Sequence, residues 1–332
     1  MLKLENCIGI FLRLCPFFSL FCCFSQQREK LMNTDYHTIY MAEITAALIA
    51  ENTYAIRGEG CDAYLLTGDT EGIMIDAGVS SRDIREFAEQ VCGKKVRCVV
   101  NTHSHFDHTA GNGYFDVIYG TDGISRSAKN TFGGDPSRYK LDYEFTIIND
   151  GDIIDVGGRP LQVILLDSHS PGSIALLDIN GRALFPGDEI DTGQVLLLPG
   201  YAEKPGQMHA RPAASVETYL RAMTRLGDMR EKYDNIYPAH NGAPVDIAVL
   251  DNFIELAKRI LDGYEGNLDC SGRGYNDSMG HFPRKEANYR RGEFNGVSLI
   301  YCADLIRDAD YEKGQTEPAT ELHRVSSRGP EK

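Results

Sequence analysis

The stretch NTHSHFDHTAGN, residues 101–112, places three of the chain's nine histidines and one aspartate within six positions, His103 to His108. Imidazoles crowded this closely disfavour one another's charged forms and are costly to hold together unless something binds them. In an extended or turning segment, His103 and His105 lie two apart and can point to the same side. Both can then give a ring nitrogen to one borderline-soft cation such as Zn2+, at about 2.0–2.1 Å. Asp107 and His108 fall where the loop turns into a helix and can face a neighbouring cation. A carboxylate and an imidazole suit Zn, Mn or Fe in that place. The apolar run KVRCVVN (95–101) leads straight into the cluster, which puts it at the carboxyl end of a buried strand.

Three further segments carry one ligand-type residue each: His169 in DSHSPGS (167–173), Asp188 in LFPGDEID (184–191) and His240 in IYPAHNG (236–242). Each follows a β-run and sits in Pro-Gly or Asn-Gly turn chemistry that fixes the backbone. A lone histidine in such a place is more often structural. Three such positions in addition to the cluster point to a shared centre.

The rest of the chain supplies the scaffold. ALIAENTYAI (47–56), DAYLLTGD (62–69) and GIMIDAG (72–78) read as strands joined by turns. SSRDIREFAEQVCG (80–93) reads as a helix with a serine N-cap, ending at Gly93. FTIINDGDIIDV (145–156), RPLQVILLD (159–167), SIALLDIN (173–180) and RALFPGD (182–188) continue the strand pattern. SVETYLRAMTRLGDM (215–229) and VDIAVLDNFIELAKRILDGY (245–264) are amphipathic helices with NIYPA (235–239) between them as a strand. VSLIYCADLI (297–306) is a last strand after an irregular stretch from about 265 to 296. Strand-rich halves, each followed by helices, predict two packed sheets with helices outside, in one domain over 41–311. Residues 1–31, aromatic- and Cys-rich, are expected to lie outside the fold, as an upstream extension or a degenerate signal. Residues 312–332, polar and aperiodic, are expected to form a disordered tail.

A formal net charge of −14 argues against nucleic acid or a stable membrane partner, both of which need clustered Lys and Arg. The cysteines Cys61, Cys92, Cys98, Cys270 and Cys302 show no paired spacing, which suits reduced thiols and a cytoplasmic location. A secreted or periplasmic one would follow if residues 1–25 acted as a signal.

THSHFDH, HSPGS, PGD and PAHNG, in this order and preceded by IMIDAG, resemble the metallo-β-lactamase-fold hydrolase superfamily over roughly residues 44–262. The resemblance implies an α+β fold, an αββα sandwich of two mixed sheets flanked by helices, with a metal site on one edge between the sheets. It implies that His103, His105 and His169 hold one metal, that Asp107, His108 and His240 hold a second, and that Asp188 bridges them. Asp76 would be a buried carboxylate that fixes a ligand or its loop. Two divalent ions, Zn2+ foremost with Fe or Mn as candidates, about 3.5–4 Å apart can share a hydroxide and lower its pKa toward neutrality. One ion would polarise the substrate oxygen, and Asp107 would be the catalytic group that orients the hydroxide and passes a proton to the leaving group.

The activity expected from this set is hydrolysis of a small-molecule ester, thioester or lactone, in the manner of glyoxalase II. True β-lactamases of the fold generally carry Cys or Ser where Asp188 stands, and the family's nucleases carry large insertions, so β-lactamase and phosphodiesterase are lesser alternatives. The alternative of another class is an oxidoreductase resembling persulfide dioxygenases, with one iron. Two segments are candidates for substrate contact. One is the loop 196–212 with Tyr201, Lys204 and His209; the other is the locally basic 280–294, whose Arg284, Lys285, Arg290 and Arg291 could grip an anionic group.

Overall fold

The structure is a computed structural model and describes residues 44–310, apart from 59, 80–81, 130–135, 192, 198–214, 241 and 268–287. The two terminal segments, Cys270, Arg284, Lys285 and the loop residues Tyr201, Lys204 and His209 lie outside the described residues.

Side chains on a strand alternate between its two faces, and in this chain both faces are apolar. In the strand Asp62–Thr67, Tyr64 and Leu66 enter one buried cluster while Ala63 and Leu65 enter another. In Glu71–Ile75, Ile73 and Ile75 take the first side and Met74 the second. A sheet buried on both faces needs a layer on each side.

That sheet has seven strands in sequence order: β1 (Thr45–Ala50), β2 (Thr53–Arg57), β3 (Asp62–Thr67), β4 (Glu71–Ile75), β5 (Lys95–Val100), β6 (Val117–Gly120) and β7 (Phe145–Ile147). Pairing is antiparallel from β1 to β4 and parallel from β4 to β7. Helix α1 (Ile84–Cys92) covers its outer face through Ile84 and Ala88. Short helices α2 (Phe106–Thr109) and α3 (Asp122–Ser127) follow β5 and β6.

A five-stranded sheet forms from β8 (Ile153–Asp155), β9 (Pro160–Leu165), β10 (Ile174–Asp178) and β11 (Ala183–Phe185), with β13 (Asn235–Ile236) parallel to β11 at one edge. Its Leu161, Val163, Ile174, Leu176 and Phe185 meet Tyr64, Leu66, Ile73, Ile75 and Val100 of the first sheet in the inter-sheet core. The alternate residues Ile164, Ala175, Leu177 and Leu184 face helices α4 (Val216–Asp228) and α5 (Ala248–Leu261). A three-stranded sheet, ordered β12 (Gln194–Leu197), β15 (Val297–Cys302), β14 (Tyr289–Phe294), adds Val195, Leu197, Leu299 and Tyr301 to that helix-covered cluster. The layers are therefore helix, sheet, sheet, helix: the mixed sheets and flanking helices of an α+β sandwich. No helix among the described residues is long and apolar enough to cross a membrane.

The structure differs from the sequence reading at four places. ALIAENTYAI is two strands, because Asn52, with a positive φ of 53°, turns the chain between β1 and β2. The cap of α1 is Asp83, whose side chain accepts from Glu86 N at 2.9 Å, and not a serine. FTIINDGDIIDV is split between the two sheets, β7 in one and β8 in the other. β12 and β14 run through stretches read as loop; both pair with β15, which is remote in sequence from β12 but follows β14 directly across the Asn295-Gly296 turn.

Leu176, fully buried in the inter-sheet core, gives the test of this layering. Leu176→Ala is expected to lower stability by about 2–5 kcal/mol. Ile179→Ala, at a position 43% exposed one residue past β10, is expected to cost less than about 0.5 kcal/mol. Urea denaturation of the two variants measures the contrast.

Candidate metal centre

The ligand-type residues all follow carboxyl ends of strands: Asp76 after β4, His103 to His108 after β5, His169 after β9, Asp188 after β11 and His240 after β13. Backbone hydrogen bonds tie these ends together across the sandwich. Ile174 N donates to Thr102 O at 2.8 Å, Asp62 N to Ala239 O at 2.7 Å and Ala77 N to His108 O at 2.8 Å. Gly187 lets the Asp188 turn lie against the histidine loop. Its φ is +55°, and a Cβ there would stand 2.4 Å from Thr102 Oγ1.

Three donor groups result among the described residues, one of them Cys61, Asp76 and His108, and the other two bring the predicted ligands together. His103, His105, His169 and Asp188 present ligand atoms within 4.8 Å of one another, and so do Asp107, His108 and His240. Asp188 lies between them and divides its carboxylate. Oδ2 is 3.7 Å from His103 Nε2 and 3.6 Å from His169 Nε2, while Oδ1 is 3.3 Å from both His108 Nε2 and His240 Nε2. Asp107 Oδ2 completes the second group at 3.6 Å from His108 Nε2 and 3.4 Å from His240 Nε2. His105 Nδ1 faces His169 Nε2 at 3.1 Å.

The outer ring nitrogens fix which nitrogen is left for a ligand. His108 Nδ1 lies 2.9 Å from Asp76 Oδ2, a carboxylate that can only accept, so the proton sits on Nδ1. Thr102 Oγ1 donates to the same oxygen at 2.7 Å and is left to accept from His103 Nδ1 at 3.1 Å. His169 Nδ1 donates to Leu196 O of β12 at 2.8 Å. In all three imidazoles Nε2 is thus the nitrogen turned toward Asp188 and left for a ligand. Asp76 itself is held at a φ of +59° and accepts from Thr102 N at 2.8 Å. It is the buried carboxylate of the IMIDAG segment.

Electrostatics separate the groups. Burial, reinforced by neighbouring imidazoles, holds His103 well below the usual histidine range and His105 at about 4, so both are neutral donors at pH 7. Burial also works against charge on His108 and His240, yet the acidic groups around them override it. These are Cys61, Asp188, Asp107 and Asp76 for His108, and Asp188 and Asp107 for His240, and both are raised. Asp107 and Asp188 are lowered against the same burial by the imidazoles.

His103 Nε2, His108 Nε2 and Asp188 Oδ1 are buried without a hydrogen bond. Leaving such atoms unsatisfied costs about 1–3 kcal/mol each, and a divalent cation among them would satisfy all three. Imidazole nitrogens with carboxylate oxygens are the donor set of Zn, Fe or Mn. The residues present therefore fit metal ions.

Arg290 and Arg291 lie on β14, away from the loop reading they were given. Arg291 Nη2 pairs with Glu293 Oε1 at 2.7 Å, and Arg290 Nη1 donates to Tyr289 O at 3.1 Å. The sequence reading did not single out Thr102, Glu189 or Leu196 O as supports of the ligands. Thr102 and Glu189 are immediate sequence neighbours of His103 and Asp188, which is a usable signal, whereas a backbone carbonyl leaves none. The cysteines Cys61, Cys92, Cys98 and Cys302 are free thiols, as their spacing predicted.

Asp76→Asn keeps the size of the side chain but puts an amide donor against His108 Nδ1. The imidazole would then carry its proton on Nε2, the ligand position. Metal affinity is expected to fall about 10–100-fold with the fold retained, measured by chelator competition beside a circular dichroism melt.

The sequence model of the metallo-beta-lactamase superfamily matches residues 56–240. Acyl-coenzyme A thioesterase MBLAC2 from Homo sapiens is 26% identical over 171 residues, 42% of this chain and 61% of that protein. Hydroxyacylglutathione hydrolase from Anaeromyxobacter dehalogenans is 26% identical over 185 residues, 56% of this chain and 63% of that protein. The chain thus spans about three fifths of the length of these two relatives. Among solved structures, a beta-lactamase domain protein from Burkholderia ambifaria aligns with a TM-score of 0.52 at 20% identity, over 66% of this chain and 77% of that one, a likeness of fold. The match over 56–240 and the ligand-bearing loops it spans make this chain a member of the metallo-beta-lactamase superfamily.

Proposed function

We propose that the protein is a metal-dependent hydrolase of small-molecule thioesters, working with two divalent ions, Zn2+ foremost. One group, His103, His105 and His169, would hold the first ion and the other, Asp107, His108 and His240, the second, with Asp188 shared. The observation that carries this reading is the division of Asp188, one oxygen toward each donor group. The hydrolase names of the relatives favour this reading over the dioxygenase-like alternative. Thioesters are chosen over other esters and lactones because the relatives are named for thioester hydrolysis, an acyl-coenzyme A thioesterase and a hydroxyacylglutathione hydrolase.

When bound, such ions supply a water of lowered pKa and a Lewis acid for the carbonyl oxygen. The chain's own groups do the rest. Asp188 and the buried imidazoles fix the polar floor on which water and carbonyl meet. Asp107, with 36% of its side chain exposed, is the ligand-type carboxylate most open to substrate. It takes a proton from the attacking water as the new C–O bond forms and returns it to the sulfur as the C–S bond breaks. Water and thioester thereby become a carboxylic acid and a thiol.

Protein of measured metal content, assayed on acyl-coenzyme A and acyl-glutathione thioesters by thiol release, tests the proposal. Wild type is expected to hold two ions per chain and to release thiol. Asp188→Ala is expected to lose metal and at least about 100-fold in kcat/KM, on the order of one removed electrostatic stabiliser. Two ions and full turnover retained by Asp188→Ala would exclude the shared role of that carboxylate. One iron per chain with oxygen uptake would favour the oxidoreductase reading.

A further inference from the structure

Glu189 follows Asp188 directly and is 1% exposed. Its carboxylate is fully engaged by a single loop, the one that carries His169. Oε1 accepts from His169 N at 2.9 Å and Ser168 N at 3.3 Å, and also from the Ser173 hydroxyl. Oε2 accepts from the Ser168 hydroxyl. The loop is closed on itself as well, since Ser173 N donates to Ser170 O at 3.1 Å. Glu189 is in turn held from behind, its carbonyl accepting from Tyr219 OH of α4 at 3.0 Å.

The consequence is geometric. His169 comes from the end of β9 and Asp188 from the end of β11, and these strands are not neighbours, since β10 lies between them. β9 and β11 do not pair with each other, and among the described residues no backbone hydrogen bond joins the two loops directly. Glu189 joins them, because one turn supplies the Asp188 oxygens on one side and the anchor of the His169 loop on the other. A buried carboxylate receiving two N–H and two O–H donors is a stiff anchor, each bond charge-assisted and shielded from water.

We infer that Glu189 is a positioning residue that sets His169 against Asp188 and thereby determines retention of the ion in the His103, His105 and His169 group, without touching that ion or the substrate. This inference rests on the two-ion reading above. It separates the groups, because His108 and His240 are held by other partners, Asp76 for His108 and the β13 end for His240.

The test is metal retention under graded chelator, with the melting temperature of metal-stripped protein as the control for folding. Glu189→Ala is expected to weaken one of the two ions about 10–100-fold and to leave the other at wild-type affinity. In a His240→Ala background, where the ion of the His169 group is the one expected to stay, adding Glu189→Ala should release it. Glu189→Gln is expected to restore most of the retention. Its Oε1 still accepts from His169 N, and its amide can donate to a rotated Ser168 hydroxyl. Wild-type retention of both ions by Glu189→Ala would overturn the inference. Equal loss of both ions with a lowered melting temperature of the stripped protein would also overturn it, by assigning Glu189 to the fold at large. Should Glu189→Ala fail to fold, Ser168→Ala with Ser173→Ala removes the two hydroxyl donors and is expected to weaken the same ion; unchanged retention there overturns the inference. Wild type that retains no ion would defeat the two-ion reading and this inference together. Ions retained equally by wild type and Glu189→Ala would defeat this inference alone.

Discussion

The carboxylate of Asp188 is where two sheets' worth of loops meet. Four imidazole nitrogens lie 3.3–3.7 Å from its oxygens, contributed by chain segments that begin at β5, β9 and β13. Burying so many polar atoms at one point is unfavourable unless they are mutually satisfied or hold a cation. The sandwich concentrates that cost at one edge and keeps the remaining interior apolar. The inter-sheet core lies directly behind the site, with Val100, Ile174 and Phe185 at or next to the strand ends that launch the ligand loops. Stiffness of the core thus becomes precision at the edge, as strand-mounted sites require.

Much of this was legible in the sequence, and the reason is local. THSHFDH puts four ligand-type residues in seven positions, and each remaining ligand has a Pro-Gly or Asn-Gly signature at its side. Strand ends were legible for the same reason, since β-runs such as KVRCVV and IALLD are continuous and apolar. Supports held across the chain were not. Leu196 O reaches His169 through a strand whose partner, β15, lies about a hundred residues on, and nothing in QVLL announces that pairing. β14, YRRGEF, is charged and non-alternating; it is a strand because the Asn295-Gly296 turn, with both φ values positive, folds it back on the fully buried β15. The serine cap failed for a related reason, as Asp83 sits nearer the first turn and offers the stronger acceptor.

The two halves of the site are held by different carboxylates. Asp76 fixes His108 directly and His103 through the Thr102 hydroxyl. Glu189 fixes the loop of His169. Both are nearly inaccessible to water, and both have their acceptor capacity taken up by N–H and O–H donors. Through these bonds Asp76 keeps the His108 proton on the outer nitrogen, and Glu189 keeps the His169 backbone in place.

This arrangement accounts for the types of residue that stand beside the ligands. An apolar side chain in place of Glu189 could fill the volume but could not hold the His169 backbone, and one in place of Asp76 could not choose between the two nitrogens of His108. That choice decides whether a ring offers a lone pair or a proton to the centre. The extra negative charge acts in the same direction, since anions behind the ligands favour cations in front of them. A site built from neutral imidazoles alone would hold its geometry less firmly and its ions less tightly. The buried carboxylates are therefore part of the metal centre's design.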